Sequence, residues 1–163
     1  MSAALSAPGA TVIGVDADAD ILQRARSKAR ASGADIDFVQ AFSTDLPYPD
    51  AHFDVGVSTL FFHHLSDTDK HRTVTEVLRV LRPGGRLVVA DLGRPQDPLM
   101  RLSVLASVQL LDGFEVTSAN VAGELPRIIG DGGFAGVRVS DRLRTPIGTL
   151  EIVTGERPGE GSD

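Results

Sequence analysis

The side chains best suited to chemistry in this 163-residue chain follow short apolar segments that are predicted to be strands. His63 and His64 come after the segment Phe53–Ser58, in an apolar stretch that also holds Phe61 and Phe62. A neutral imidazole accepts a proton near neutral pH, so either histidine could act as a general base, with a structural role in the loop as the alternative. The aromatic and apolar surroundings are typical of a small-molecule pocket.

A second group of candidates follows two earlier apolar segments. Asp16 comes directly after Thr11–Val15, where a carboxylate can accept hydrogen bonds from both hydroxyls of a ribose. The alternative is a loop carboxylate or a helix N-cap. Phe42 and Ser43 follow Ile36–Gln40, and either could face an adenine ring, unless this loop is solvated and holds one buried aromatic residue.

The sequence argues against several classes of chemistry. The absence of cysteine excludes disulfides, thiolate zinc sites, iron–sulfur clusters and a cysteine nucleophile. A metal site at His63, His64 and His71 is not expected, because adjacent side chains point apart and no carboxylate cluster at helical spacing accompanies them. The G-x-S-x-G, G-x-x-x-x-G-K-[ST] and G-x-G-x-x-G patterns of hydrolases, nucleotide triphosphatases and dinucleotide-binding proteins are also missing.

Charge and hydropathy restrict the partners and the location. The formal net charge of -6 has the wrong sign for a surface that binds nucleic acid through its phosphates. The longest apolar stretches, such as Val104–Leu111, are far shorter than the roughly 20 residues of a membrane span. The first ten residues lack the basic and apolar regions of a secretory signal. We therefore expect a cytoplasmic protein with no membrane span and no nucleic-acid partner.

Strand-like and helix-like segments alternate along most of the chain, which favours a parallel sheet covered by helices on both faces and an α/β fold. Two later strand-like segments lie close together and predict an antiparallel hairpin near the end of the domain. We expect one domain over residues 1–155 and a disordered tail over 156–163. The predicted strands are Thr11–Val15, Ile36–Gln40, Phe53–Ser58, Arg86–Leu92, Val137–Leu143 and Leu150–Thr154, and the predicted helices cover about 20–32, 68–81, 97–111 and 121–129.

Four segments taken together resemble the class I S-adenosylmethionine-dependent methyltransferases, and in particular the small-molecule branch of ubiquinone and menaquinone biosynthesis. They are VIGVDADADILQRAR, LPYPDAHFDVGVS, LFFHHL and EVLRVLRPGGRLVVADL. The resemblance is specific from Thr11 to about Leu92 and topological beyond. It implies a Rossmann-like, mostly parallel sheet with strand order 3-2-1-4-5-7-6, S-adenosylmethionine as cofactor, and methyl transfer to a small, partly apolar acceptor.

The resemblance also implies roles for individual residues. Asp16 would bind the ribose of the cofactor, and Ala17 would lie along its adenine. Phe42 stands where many relatives have an acidic residue that meets the adenine amino group, so the Phe42 ring or a backbone amide near Ser43 must replace that contact. Ser58 and Thr59 would line the methionine end of the cofactor. Four residues would border the methyl acceptor, and they are Phe61, Phe62, His63 and His64.

The chain departs from the family pattern at its start. Family members have a first strand that ends in a glycine-rich loop, where the bare backbone lets the methionine carboxylate approach. This sequence has none, so we expect the first strand to be missing from the middle of the sheet and the natural chain to be longer. The alternatives are a truncated, non-catalytic remnant or interaction module, and a Rossmann domain that binds NAD or another nucleotide. An unfilled sheet edge also favours testing for a homodimer.

Overall fold

The computed structural model of the protein describes residues 9–93, 123–145, 148–159 and 161. The chain divides into two compact units, Met1–Pro47 and Tyr48–Asp163. Among the described residues, no helix is long and apolar enough to cross a membrane. The helix predicted over 97–111 lies outside the described residues.

The first unit is a strand, helix and strand: β1 (Ile13–Asp16), α1 (Ala19–Ser32) and β2 (Asp37–Gln40). The two strands pair in parallel. α1 begins where Oδ1 of Asp18 accepts the backbone N–H of Asp20 at 2.8 Å, because this carboxylate replaces the hydrogen-bond partner that the first turn of a helix lacks. It ends at Gly33, whose φ of 66° is open to glycine at little cost. These local signals confirm the predicted order.

The second unit holds the remaining described elements, and its strands form one sheet in the order β3-β4-β6-β5. β3 and β4 are parallel, whereas β6 is antiparallel to both of its neighbours, so the predicted hairpin is confirmed. The elements are β3 (Phe53–Thr59), a 3-10 turn (Phe62–His64), α2 (Asp67–Val80), β4 (Leu81–Leu92), α3 (Leu125–Asp131), β5 (Ala135–Thr145) and β6 (Gly148–Glu156).

Within each unit, the strand order agrees with the order that the family resemblance implies. In the first unit β2-β1 corresponds to the family strands 3-2, and in the second unit β3-β4-β6-β5 corresponds to 4-5-7-6. The described strands belong to two sheets, of two and four strands. The α/β class is confirmed.

The core of the second unit lies between α2, α3 and one face of the four-stranded sheet. Its side chains are apolar and less than 6% exposed, as expected for the residues that drive folding by burial. They are Phe62, Val74, Leu81, Leu87, Val89, Leu125, Ile128, Ile129, Phe134 and Val153.

The connection from α2 to β4 differs from the prediction, which began the strand at Arg86. β4 begins at Leu81, because Leu81 already pairs with Phe53 in extended conformation. Residues 82–85 then bulge out of the ladder before pairing resumes between Val55 and Arg86. Gly85 fits this bulge, since a Cβ there would lie 2.7 Å from the carbonyl oxygen of Arg82.

The sheet continues past residue 155, the last residue of the predicted domain. Glu156 still pairs with Arg86 in the sheet. Arg157 exchanges backbone hydrogen bonds with the bulge, because Gly84 N–H donates to its carbonyl at 2.9 Å and its own N–H donates to Gly85 at 2.8 Å. The polar, glycine-rich composition of this segment did not reveal these partners, which come from a bulge more than 70 positions earlier.

The guanidinium of Arg157 donates to the carbonyls of Leu78 and Arg79 in the last turn of α2 and of Leu81, the first residue of β4. Carbonyls in the last turn of a helix lack partners within the helix. We expect Arg157→Ala to lower the free energy of unfolding by about 1.5–3 kcal/mol, the usual range for hydrogen bonds to a charged group. Urea denaturation would measure this, with exposed Arg86→Ala as the control within about 0.5 kcal/mol of the parent chain. Equal effects of the two substitutions would contradict this role.

Two nearby glycines predict substitutions of opposite sign. A Cβ on Gly132 would collide with the side chain of Val74, so Gly132→Ala should lower the free energy of unfolding by about 1–3 kcal/mol. Gly130 lies inside α3, and among the described residues a Cβ there would meet only Val137, at 4.0 Å. Gly130→Ala should therefore raise the free energy of unfolding by up to about 1 kcal/mol through helix propensity. Thermal unfolding of both variants measures these effects. Unfolding midpoints that shift in the same direction would contradict the surroundings described for the two glycines.

Candidate functional site

In the first unit, Asp16 ends β1 with a half-buried carboxylate. Its Oδ1 accepts the backbone N–H of Asp18 at 2.9 Å, which fixes the side chain. Among the described residues, no hydrogen bond reaches its second oxygen. An oriented carboxylate with one open oxygen suits a ribose diol, because an ionised carboxylate only accepts hydrogen bonds.

The residues predicted to contact adenine lie at the same edge of this small sheet. Because β1 and β2 are parallel, their carboxyl ends coincide, with Asp16 paired to Gln40. The Gln40 side chain donates to the carbonyl of Ala17 at 2.9 Å. Phe42 follows β2 with 70% of its surface exposed, and its carbonyl accepts the N–H of Asp45 in a tight turn. An exposed ring of this size is open to stacking on a planar ligand.

In the second unit, the end of β3 carries the two residues predicted for the methionine end. The hydroxyl of Ser58 is buried, and none of the described residues provides it with a hydrogen-bond partner. Such a group costs free energy unless a partner satisfies it, so it indicates a place where a ligand or a water can bind. Thr59 is exposed. Leu60 then turns the chain with φ of 51°, a strained conformation for a branched residue.

The aromatic stretch after this turn divides into buried and accessible residues. Phe62 is 1% exposed and belongs to the core, so its ring leaves almost no surface for an acceptor, contrary to the role predicted for it. Phe61 is partly buried and packs edge to face on Phe62 at a ring distance of 5.9 Å. His63 is 6% exposed, whereas His64 is exposed and contacts the His63 ring. The turn thus buries the two successive residues Phe62 and His63 and leaves His64 at the surface.

One carboxylate that the sequence did not single out organises this turn. Asp91, at the end of β4, is 1% exposed. Its Oδ2 accepts the backbone N–H of Phe61 at 2.9 Å and of Phe62 at 2.7 Å. Its Oδ1 lies 2.7 Å from Nδ1 of His63 and accepts the N–H of Leu92, also at 2.7 Å.

These contacts determine the charge state of Asp91. Burial raises the pKa of its carboxyl, but the hydrogen bond and charge of His63, together with the backbone donors of Leu92 and Phe61, lower it further than burial raises it. The pKa of Asp91 thus lies below its usual value, and the group is ionised at neutral pH. An acidic residue near the end of a predicted apolar strand was the signal that could have revealed it.

The LPYPD segment that supported the resemblance has a structural role here. Arg79 of α2 donates to the carbonyl of Tyr48 at 2.8 Å and to Oδ1 of Asp50 at 2.7 Å. Two further bonds join it to Glu76. The carboxylates of Glu76 and Asp50 raise the pKa of Arg79. This arginine therefore fastens the loop before β3 to α2.

No group of three or more histidine or acidic side chains within the described ranges is arranged to hold a metal ion. At the end of β3 and in the 3-10 turn, the imidazoles of His63 and His64 and the hydroxyl of Ser58 are polar groups that can take part in chemistry. These groups transfer protons and form hydrogen bonds.

The chain belongs to the methyltransferase domain family, whose family description matches residues 1–89. Among curated proteins, it is similar to a demethylmenaquinone methyltransferase of Thermus thermophilus, with 42% identity over 89 residues, 55% of this chain and 40% of that protein. It is 39% identical over 88 residues to the ubiquinone/menaquinone biosynthesis C-methyltransferase UbiE of Shewanella halifaxensis, covering 53% of this chain and 34% of that protein. The chain thus spans about two fifths or less of the length of these relatives.

Solved structures share the fold over nearly the whole chain. The YcgJ protein of Bacillus subtilis superposes with a TM-score of 0.72 at 21% identity, covering 91% of this chain and 82% of that one. A protein of Methanosarcina mazei described as a S-adenosylmethionine-dependent methyltransferase gives a TM-score of 0.71 at 22% identity, covering 92% and 83%. These similarities confirm the Rossmann-like fold that the four segments predicted.

Proposed function

We propose that the protein transfers the sulfonium methyl group of S-adenosylmethionine to a small, partly apolar acceptor. The observation that carries the proposal is the carboxylate of Asp16, oriented by Asp18 and with one oxygen open, in a chain of the methyltransferase domain family. When bound, the cofactor supplies a methyl group already activated by positively charged sulfur. The protein then has to align the reactants and exclude water.

The residues of the first unit fit the nucleoside part of this cofactor. The open oxygen of Asp16 accepts hydrogen bonds from ribose hydroxyls, and the exposed ring of Phe42 stacks on adenine. Ala17 has only backbone groups and a methyl group to place beside the adenine. Its carbonyl already accepts a hydrogen bond from the side chain of Gln40. A backbone amide near Ser43 remains the alternative to the Phe42 contact.

For the methionine end, Ser58 and Thr59 remain the proposed residues. The buried hydroxyl of Ser58, which no described residue satisfies, supports this role, because it gains a hydrogen bond when a polar ligand group binds.

The acceptor that we propose is a hydroquinone or related phenol. The names of the two curated relatives, demethylmenaquinone methyltransferase and ubiquinone/menaquinone biosynthesis C-methyltransferase, support this class. Phe61 offers an aromatic contact, and His63 or His64 accepts the hydroxyl proton of the acceptor. Loss of that proton makes the ring electron-rich, so that a ring carbon or the oxygen can form the new bond to the methyl group.

Binding of S-adenosylhomocysteine, measured by calorimetry and by thermal unfolding of the full chain, tests this proposal. We expect a saturable heat of binding and a rise in unfolding midpoint that grows with ligand concentration. The same titration with NAD is the comparison, and it should produce neither effect. Stabilisation by NAD alone would favour a dinucleotide-binding domain, and no response to either ligand would favour a non-catalytic remnant.

A further inference from the structure

Asp91 and His63 form a buried pair, and the chemistry of the two groups determines which of them donates the hydrogen bond. Nδ1 of His63 lies 2.7 Å from Oδ1 of Asp91, and the two side chains are 7% and 1% exposed. An ionised carboxylate has no hydrogen to donate, so the hydrogen of this bond belongs to Nδ1. In the neutral ring, Nε2 then carries the free lone pair. Among the described residues, the bond to Asp91 is the one hydrogen bond of the His63 side chain.

The same carboxylate fixes where the ring sits. Oδ2 of Asp91 accepts the backbone N–H groups of Phe61 and Phe62, the two residues before His63. One side chain thus determines the path of the backbone into the turn and the orientation of the ring that follows. Each of these hydrogen bonds is charge-assisted, because its acceptor is an ionised carboxylate. Such bonds are shorter and stronger than those between neutral groups.

The other buried carboxylate nearby is not available for this role. Glu151 of β6 is paired with Asp91 across the strands and is 4% exposed. Its Oε1 accepts Nε of Arg142 at 2.8 Å. The carboxylate of Glu151 is therefore bound by Arg142, while that of Asp91 is bound by His63 and the turn.

We infer that Asp91 is a positioning residue, which holds His63 with Nδ1 protonated so that Nε2 is the atom that takes the hydroxyl proton of the methyl acceptor. This inference rests on the proposed function. In the step, the O–H bond of the acceptor breaks, its proton joins Nε2, and the electron pair stays on the acceptor. The acceptor then forms its bond to the methyl group as the bond between that methyl and sulfur breaks, with the pair going to sulfur.

The tautomer of His63 tests the inference without requiring activity. Long-range ¹H–¹⁵N correlation spectra of the full chain, recorded at neutral to mildly alkaline pH, distinguish the two tautomers, and His63→Gln assigns the signal. We expect the form with Nδ1 protonated in the parent chain, and in Asp91→Asn a shift towards the other form or a mixture. Asp54→Asn, which removes an exposed carboxylate from β3, should leave the His63 signal unchanged. A parent chain with Nε2 protonated overturns the inference even if Asp91→Asn fails to fold.

Kinetics with S-adenosylmethionine and a short-chain prenylated 1,4-naphthohydroquinone, kept reduced, give a second measurement. We expect Asp91→Asn to lower kcat by about 100-fold or more, within the usual contribution of a general base, with KM changed less than about threefold. Unchanged kcat in a variant that still binds S-adenosylhomocysteine overturns the positioning role and leaves the proposed function standing. If the parent chain does not bind S-adenosylhomocysteine, the proposed function itself fails.

Discussion

Asp16→Asn is expected to weaken the binding of S-adenosylhomocysteine by about 10- to 100-fold, because hydrogen bonds to a charged acceptor contribute about 1.5–3 kcal/mol each. The substitution leaves the local structure in place, since the amide oxygen of asparagine can still accept the N–H of Asp18. What it removes is the charge and one acceptor for the ribose. Isothermal titration calorimetry of the purified chain would measure the change.

The matched control for this experiment is Asp18→Asn, two residues further along. Asp18 is exposed and caps α1, and asparagine is an equally good N-cap. This variant loses the same charge from the same loop but should bind S-adenosylhomocysteine within about twofold of the parent chain. If both substitutions weakened binding alike, the effect would come from the general charge of the loop, and the role of Asp16 would be lost.

Asp91→Ala is expected to have the largest effect on stability, lowering the free energy of unfolding by about 3–5 kcal/mol, as is usual when one partner of a buried charged network is removed. The substitution leaves the N–H groups of Phe61 and Phe62 and the ring of His63 without their acceptor. Urea denaturation would measure it. Asp54→Ala removes an exposed carboxylate that pairs with Arg82, and it should cost less than about 1 kcal/mol.

The pH dependence of stability provides a second result for Asp91. Its pKa is lowered in the folded chain, so its contribution is fully present above the ordinary pKa of aspartate and is lost as the pH falls through the lower, folded value. The free energy of unfolding of the parent chain should therefore fall on acidification more steeply than that of Asp91→Ala. Parallel curves for the two proteins between neutral and strongly acidic pH would show that Asp91 is not stabilised in its ionised form.

Local signals in the sequence were sufficient for the elements whose ends depend on neighbouring residues. α1 begins after the cap of Asp18 and ends at Gly33, close to the predicted range of about 20–32. The alternation of strands and helices predicted the α/β class, and the short spacing of the last two strands predicted their hairpin. These features depend on hydrogen bonds within a few positions or on the period of apolar residues, which the chain displays directly.

The strand boundaries were harder to predict from the sequence. β4 begins five residues before its predicted start, and β6 and Arg157 extend the ordered chain past residue 155. In both places the chain is rich in glycine and proline, which predicts a turn or a loop. The deciding contacts come from distant residues: Phe53 pairs with Leu81, and Gly85 bonds to Arg157. Propensity cannot show such contacts.

The sequence by itself identified the residues that could perform chemistry, because they follow predicted strands in a parallel arrangement, and the carboxyl ends of such strands carry the ligands. Only the tertiary structure distinguished their surroundings. It buried Phe62 in the core and left Phe42 exposed. It also joined Asp91 to His63, 28 positions apart, because β3 and β4 lie side by side. Burial and hydrogen bonding between strands depend on the packing of the whole unit, which no short stretch of sequence contains.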